Sequence, residues 1–149
     1  MSLQDGIMAA MKTAMKAKDQ IALTALRAVK SAILLTKTER GAGAELSDEQ
    51  ELKILQKQVK QRKDSAAIFL EQGREDLAAP ELAEAEVIGQ FLPEAMSEED
   101  VEKTVLNAIE FLSASGMKDM GKVMGVVSKE LAGKADGKTI SSIVKAKLA

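Results

Sequence analysis

Apolar residues recur at helical spacing through almost the whole chain, and this pattern constrains the fold more than any other feature. The first stretch steps by four from Leu3 to Met15, which aligns its apolar side chains on one face of an α-helix. No stretch shows the sustained two-residue alternation of β-branched or aromatic residues that is typical of a half-buried strand. The sequence therefore predicts an all-α fold.

Capping and turn signals divide the first part of the chain into four helices. Asp19 is a suitable N-cap for the second helix, and Gly41–Ala42–Gly43 ends it. Ser47, followed three residues later by Gln50, forms a capping box that opens a long third helix. A fourth helix is predicted over about residues 80–91, because it starts with a proline, which suits the first helical turn.

Three more helices are predicted after Pro93, which disfavours helical geometry in the residue before it. Ser97 caps the first of them. Gly116 separates the first from the second, and Gly133 separates the second from the third. We therefore predict an N-terminal four-helix domain over residues 1–96 and a C-terminal three-helix bundle over residues 97–149. The residues expected to point inward from the last helix are Ile140, Ile143 or Val144, and Leu148.

The composition excludes many kinds of catalytic site. The chain has no Cys and no His, so it lacks a thiolate nucleophile, the commonest general base and the commonest ligands of transition metals. No apolar run approaches the roughly 20 residues of a membrane span, and the N-terminus does not resemble a secretion signal. We expect a cytoplasmic protein with no cofactor, metal or membrane partner and no self-sufficient catalytic site, whose task is to bind something.

Charge is unevenly distributed along the C-terminal third. The whole chain has a net charge of −2, but residues 97–116 carry one lysine against five acids, and residues 117–149 carry seven lysines against three acids. These balances are −4 and +4, so the end of the chain is locally basic. With no Trp or Tyr and only three Phe, little is available for stacking on unpaired bases. A basic surface of this kind favours shape-directed contacts with folded RNA.

Gly121 and Gly125 lie four residues apart within one predicted helix and therefore share a face. Missing side chains at both positions would allow close approach, either of a neighbouring helix or of a sugar-phosphate backbone. Lysines flank this face and continue into the last helix, where they would contact phosphates without reading bases, or simply solvate the surface. These lysines are Lys118, Lys122, Lys134, Lys138, Lys145 and Lys147.

Two further patterns have more ordinary interpretations. The segment Gly133 to Thr139 resembles a phosphate-binding loop, but three residues rather than four separate its glycines and no strand precedes it. A turn between two helices is favoured instead. A second basic cluster lies beside acids at helical spacing, which favours an ion-paired exposed helix. This cluster comprises Lys53, Lys57, Lys60, Arg62 and Lys63.

The residues from Asp119 to Gly125, followed by Gly133 to Lys138, resemble the GatB/YqeY family. This pattern is similar to the tail domain of the B subunit of glutamine-dependent aminoacyl-tRNA amidotransferase. The turn at residues 73–77, and residues 91–93 followed by residues 97–99, extend the resemblance to a free-standing YqeY-like protein over the whole length.

The resemblance implies an all-α fold of four helices joined to three, and a C-terminal domain that helps to hold tRNA. The 149 residues contain neither the kinase-like domain of the B subunit nor a Gly/Ser-rich amidase signature. The family's carbon–nitrogen ligase activity with glutamine as donor is therefore not expected of this chain alone. The tRNA-facing candidates that the resemblance implies are Lys118, Gly121, Lys122, Gly125, Lys134, Gly137 and Lys138, and Lys145 extends the basic rim.

Three hypotheses follow from the sequence. The first is that the C-terminal module binds a tRNA-like RNA through its lysines and its glycine-containing helix. The second is that the protein is an accessory to amidotransferase subunits and stimulates amide transfer. The third is a helical adaptor for protein partners that uses methionine-rich faces, with no RNA partner.

Overall fold

The computed structural model describes residues 2–41 and 43–149, so Ala42 of the predicted helix break lies outside the described residues. Across this part of the chain the regular structure is helical throughout, with seven α-helices, one short 3₁₀ helix and no strand. The all-α prediction is confirmed. One compact unit ends at Leu92 and a second begins at Pro93, whereas the domain limits of 1–96 and 97–149 remain our proposal.

Four helices form the first unit, and local capping accounts for where three of them begin. Ser2 and Ser47 each form a capping box with the residue three positions on, and the Asp19 carboxylate accepts the Ala22 N–H at 3.0 Å. Each of these contacts satisfies amide groups that a helix start otherwise leaves unpaired. The helices are α1 (Leu3–Ala17), α2 (Gln20–Arg40), α3 (Asp48–Glu71) and α4 (Glu75–Gly89).

The core of the first unit is built from one apolar face of each helix. The apolar residues that recur at helical spacing in α2 are buried, with Leu26 and Val29 each 1% exposed. Leu55 of α3 and Ile88 of α4 are fully buried in the same cluster. Burying side chains of this size stabilises the fold by roughly 1.5–3 kcal/mol each, so these positions hold α2, α3 and α4 together.

The predicted start of the fourth helix was wrong. α4 begins at Glu75, five residues before Pro80, and ends at Gly89 rather than Phe91. Pro80 therefore lies inside the helix, where its missing N–H removes one backbone hydrogen bond. Burial of Ala78 and Ile88, in a helix that packs against α3, offsets this cost. Sequence signals at the true start are weak, because Arg74 at the N-cap makes no side-chain capping bond.

The second unit contains three α-helices and a 3₁₀ turn around its own core. Val101, Val105, Val123, Val127 and Val144 are each fully buried in one cluster. The last helix buries Val144 and leaves Ile143 only partly covered, which resolves the alternative left open by the sequence. The elements are α5 (Glu98–Leu112), the 3₁₀ turn Met117–Asp119, α6 (Met120–Glu130) and α7 (Gly137–Leu148).

None of the helices in residues 2–41 and 43–149 combines the length and the apolar character needed to cross a membrane.

Candidate nucleic-acid interface

The two glycines of α6 lie on an exposed helix face with open space in front of them. A Cβ atom built at Gly121 or at Gly125 would meet no heavy atom within 4 Å outside the helix's own backbone. The buried side of α6 is formed instead by Val123 and Val127. Packing against a neighbouring helix therefore does not explain the two missing side chains. Each glycine in a helix interior nevertheless lowers the stability of the folded protein by roughly 0.5–1 kcal/mol relative to alanine.

Lysines border this open face. Lys122 lies next to Gly121, and 75% of its side chain is exposed, with its Nζ 4.0 Å from the Asp119 carboxylate. Lys129 is exposed and lies four residues after Gly125, so it belongs to the same face. Lys129 contributes to the basic balance of residues 117–149 but is not among the binding candidates predicted from sequence. The i, i+4 spacing from Gly125 was the signal that could have identified it.

Lys118 is exposed, but it does not belong to the α-helix that carries Lys122. It lies in the 3₁₀ turn before α6, and this winding has about three residues per turn rather than 3.6. Lys118 and Lys122 therefore do not share the regular i, i+4 spacing of one α-helix. The turn is held by the Asp119 carboxylate, which accepts the Ser115 N–H at 2.8 Å.

The segment between α6 and α7 is a tight turn. Gly133 adopts a φ of +77°, a left-handed conformation that favours glycine because other residues carry a Cβ. The carbonyl of Lys134 accepts the Met96 N–H at 2.9 Å, which ties the turn to the segment before α5. The Lys134 side chain remains exposed. This is the helix-joining turn that the sequence favoured over a phosphate-binding loop.

The start of α7 holds the next candidates. Asp136 caps this helix, since its Oδ1 accepts the Thr139 N–H at 2.6 Å. Gly137 and Lys138 follow in the first turn and are both exposed. Lys145 is also exposed and lies seven residues, or about two turns, after Lys138. Both lysines therefore share one face of α7.

Lys147 is separated from this group. Its Nζ lies 2.7 Å from Glu102 Oε1 of α5, so its charge is largely compensated within the unit. The sequence pattern places Lys147 with Lys145 at the basic rim, and the structure corrects this grouping. Only the fold could reveal the difference, because Glu102 lies 45 positions earlier in the chain.

An acidic side chain lies beside Lys138. A depression of about 260 Å³ at the starts of α5 and α7 is lined by Glu98, Lys138, Thr139, Ser142 and Ile143. The hydroxyl groups and the ammonium group suit an anion, whereas the Glu98 carboxylate opposes one. This corner is therefore electrostatically mixed.

The second basic cluster consists largely of paired cations on α3. Lys53 lies 3.5 Å from Glu49, and Lys60 lies 3.1 Å from Asp64. Arg62 approaches Glu84 of α4 at 3.5 Å in a mostly buried environment. These pairs support the predicted interpretation of an ion-paired helix.

Among the phenylalanines, Phe111 at the end of α5 is 84% exposed, so one aromatic ring is open to solvent in the second unit.

Within the described residues, no cluster of three or more Asp or Glu side chains is positioned to hold a metal ion.

The structure is that of a helical protein whose C-terminal unit combines an open glycine face with exposed lysines. The family model described as "Yqey-like protein" matches residues 4–148. The chain belongs to the YqeY-like protein family.

Similarity over most of the chain is found to fungal proteins named "Altered inheritance of mitochondria protein 41, mitochondrial". The protein from Clavispora lusitaniae is 36% identical over 124 residues, covering 81% of this chain and 69% of the relative. The one from Saccharomyces cerevisiae strain YJM789 is 31% identical over 133 residues, covering 87% of this chain and 68% of the relative.

A partial similarity links the chain to an amidotransferase. A glutamyl-tRNA(Gln) amidotransferase subunit from Thermococcus gammatolerans is 38% identical over 73 residues, which are 46% of this chain and 12% of that protein. The relation to amidotransferase subunits that the sequence motifs imply is thus supported over part of the chain.

Proposed function

We propose that this protein is a non-catalytic RNA-binding protein that docks on a folded, tRNA-like RNA through the open face of α6. The observation that carries the proposal is the combination of Gly121 and Gly125, which face open space, with exposed lysines beside them. Backbone-directed RNA contacts need positive charge and close approach but no base-specific groups. The glycines supply the approach and Lys122 supplies the charge.

Charge segregation supports the same surface. The acidic residues of the second unit concentrate on α5, while its lysines concentrate after residue 117. A phosphate backbone would therefore be attracted to α6 and α7 and repelled by the exposed start of α5. The relation to an amidotransferase subunit whose name includes tRNA is consistent with this class of ligand.

Filter binding of bulk tRNA to the full chain across a salt series tests the proposal. The logarithm of the affinity should fall linearly with the logarithm of salt concentration, by roughly 0.7–0.9 for each phosphate contact. Replacing Lys122 and Lys138 by Glu should weaken binding strongly. No binding at low salt, or an affinity that both substitutions leave unchanged, would refute the proposal.

A matched control comes from α3. Replacing Lys53 and Lys60 by Glu changes the net charge by the same amount, but both lysines belong to ion pairs in the first unit. If tRNA binding depends on a specific surface, this control should retain most of its affinity. Equal losses in both double variants would indicate unspecific attraction to net charge.

A role as an accessory to glutamine-dependent tRNA amidotransferase is the more detailed form of this proposal. The partial similarity to one chain of such an enzyme supports it. Amidation of misacylated tRNA, measured with and without this protein, together with co-purification of the subunits, tests it. If no complex forms and the rate of amidation does not change, the accessory role is excluded. That result would leave the RNA-binding proposal unaffected.

The rival is a helical adaptor with no RNA partner, and the same experiments distinguish it. An interaction with protein that survives nuclease and high salt, together with no tRNA affinity, would favour the adaptor.

The predicted cytoplasmic location is a separate question, because the fungal relatives are named as mitochondrial proteins. Fractionation of the source cells would decide it.

A further inference from the structure

The first unit has an apolar groove between α1 and α2. It has a volume of about 170 Å³ and is open to solvent. Its floor is formed by the buried residues Ile7 and Ile33, and its walls are formed by Met8 and Leu34. Met8 is 44% exposed and Leu34 is 64% exposed, so both side chains are accessible to a ligand.

The wall on α1 is part of a methionine stripe. Met8, Met11 and Met15 follow one another at spacings of three and four, so they lie on one side of the helix. Met11 is partly buried against the core, and Met15 is 52% exposed. Methionine side chains are flexible and polarizable, so they adapt to the shape of an apolar partner.

The opposite wall carries positive charge. Arg27, Lys30, Leu34 and Lys37 recur at helical spacing along one side of α2. Lys30 is exposed and has no ion-pair partner in the part of the chain that the structure describes. Lys37 closes one end of the groove, where its Nζ donates to Gln4 Oε1 at 3.2 Å and lies 3.6 Å from the exposed Glu45.

A buried carboxylate anchors this end of the groove. Gln4 Nε2 donates to Glu51 Oε2 at 3.3 Å, and Glu51 is 7% exposed. Gln4 therefore bridges Lys37 to Glu51 and fixes the lysine beside the groove. The polar end is thus organised by three side chains from α1, α2 and α3.

The whole α1–α2 hairpin is cationic. Residues 3–40 carry seven cations against three acids, a net charge of +4, within a chain whose total is −2. Two of the three acids, Asp5 and Asp19, have their carboxylates occupied in capping helix starts. Glu45 and Glu51 offset Lys37 at one end of the groove, so the cationic side is that of Lys30, and an acidic ligand complements it.

We infer that this groove binds an acidic amphipathic helix of a protein partner. The observations favour a helix because the groove lies between two helices and is lined by lysines seven residues apart, about two helical turns. About 170 Å³ is less than the roughly 300–1,000 Å³ of typical small-molecule sites, but it can receive an apolar anchor of a helix. One apolar residue of the partner would fill the groove, its apolar neighbours three and four residues away would pack along Met8 and Leu34, and its carboxylates would face Lys30 and Lys37.

The surface is distinct from the RNA face proposed on α6, and the two can be tested separately. A library of displayed helical peptides is panned on the immobilised full chain, with the Met8→Gln/Leu34→Gln variant as counter-selection. We expect the enriched peptides to be acidic and to carry apolar residues at spacings of three and four. No enrichment over the variant, or enrichment of basic peptides, would overturn the inference.

Adjacent leucines provide a matched control for the contact itself. Leu34 and Leu35 are 64% and 61% exposed, but only Leu34 lines the groove. The enriched peptide, labelled with fluorescein, should bind Leu34→Gln about tenfold or more weakly than wild type by anisotropy. Leu35→Gln should bind it as wild type does. Equal losses would overturn the groove assignment.

Charge reversal separates a protein helix from RNA at this surface. Lys30→Glu should weaken the acidic peptide by roughly three- to tenfold at low salt, while tRNA binding stays unchanged. If Lys30→Glu instead reduces tRNA affinity as much as Lys122→Glu does, the hairpin is a nucleic-acid surface and the protein-helix inference is wrong. Circular dichroism confirms that each variant is folded.

Discussion

Lys147 on α7 lies 2.7 Å from Glu102 on α5, whereas Lys145, two residues earlier, is exposed on another side of the same helix. The two lysines are alike in sequence context but differ in what their charges do. Lys147 links two helices of the second unit. Lys145 is available to a ligand.

This difference predicts opposite outcomes for two neighbouring substitutions. Lys147→Gln should lower the free energy of unfolding by roughly 0.2–1 kcal/mol, the range of partly exposed ion pairs, and leave tRNA affinity nearly unchanged. Lys145→Gln should leave stability unchanged and reduce the salt dependence of tRNA binding by about one phosphate contact. Urea unfolding and filter binding on both variants check this. The reverse pattern would contradict the assignment.

The cap of α7 should be important for stability. Asp136 accepts the Thr139 N–H at 2.6 Å, and loss of such a cap costs about 0.5–2 kcal/mol. Asp136→Ala should therefore lower the melting temperature. Asp136→Asn retains a side-chain oxygen at the cap and is the matched control, with a much smaller expected loss. Thermal unfolding followed by circular dichroism distinguishes the two, and equal losses would argue against capping as the cause.

A bidentate pair at the start of α4 should be visible as a titration shift. Arg74 donates to both carboxylate oxygens of Asp76, at 3.0 and 2.9 Å, and these hydrogen bonds lower the pKa of Asp76. When folding lowers the pKa of a carboxyl group, the group stabilises the protein at pH values above its unfolded-state pKa, which is near 3.9. This stabilisation is lost as the pH falls through the folded-state pKa. The sensitive window is therefore below about pH 4.

Carboxyl-detected NMR titration measures this pKa directly. Asp76 should titrate below the usual range in the wild type, and Arg74→Gln should return it towards that range. An Asp76 midpoint that does not respond to the substitution would mean that the pair does not persist in solution.

The acidic neighbour of Lys138 gives a gain-of-binding prediction. Glu98 and Lys138 line the same depression, so the carboxylate repels phosphate there. Glu98→Gln should tighten tRNA binding by a few-fold at low salt, an effect on the order of one exposed charge interaction. Glu99→Gln in the same helical turn, which does not line the depression, is the control. Unchanged affinity in Glu98→Gln would place the RNA away from the start of α7.

Much of the fold could be predicted because the capping residues and the spacing of apolar residues in the sequence agree with the helices of the structure. Ser47 and Gln50 form the expected capping box, and the apolar stripe of α2 is buried as its spacing indicated. The start of α4 could not be predicted in the same way. Its N-cap, Arg74, makes no side-chain cap, and tertiary packing overrides the preference of Pro80 for a first turn.

The candidate site could be predicted only in part. The lysine positions followed from the sequence, but the partner of each charge depends on long-range packing, as the Lys147–Glu102 pair illustrates. The sequence also left two explanations for Gly121 and Gly125. Only the three-dimensional structure could establish that both glycines face open space. The apolar groove between α1 and α2 was missed because its walls come from two helices.

The central claim is that the missing side chains at Gly121 and Gly125 allow RNA to approach the α6 backbone. Changing both to alanine fits the open space in front of them and should raise the free energy of unfolding by about 1–2 kcal/mol for the pair. Gly89→Ala, which also faces open space in a helix of the first unit, is the control for added helix stability.

The decisive measurement is the tRNA affinity of the Gly121→Ala/Gly125→Ala variant at fixed low salt, compared with Gly89→Ala and wild type. The account predicts a more stable protein that binds tRNA about tenfold more weakly or worse, roughly 1.4 kcal/mol, while Gly89→Ala binds normally. A double variant that gains stability and keeps full affinity would contradict it.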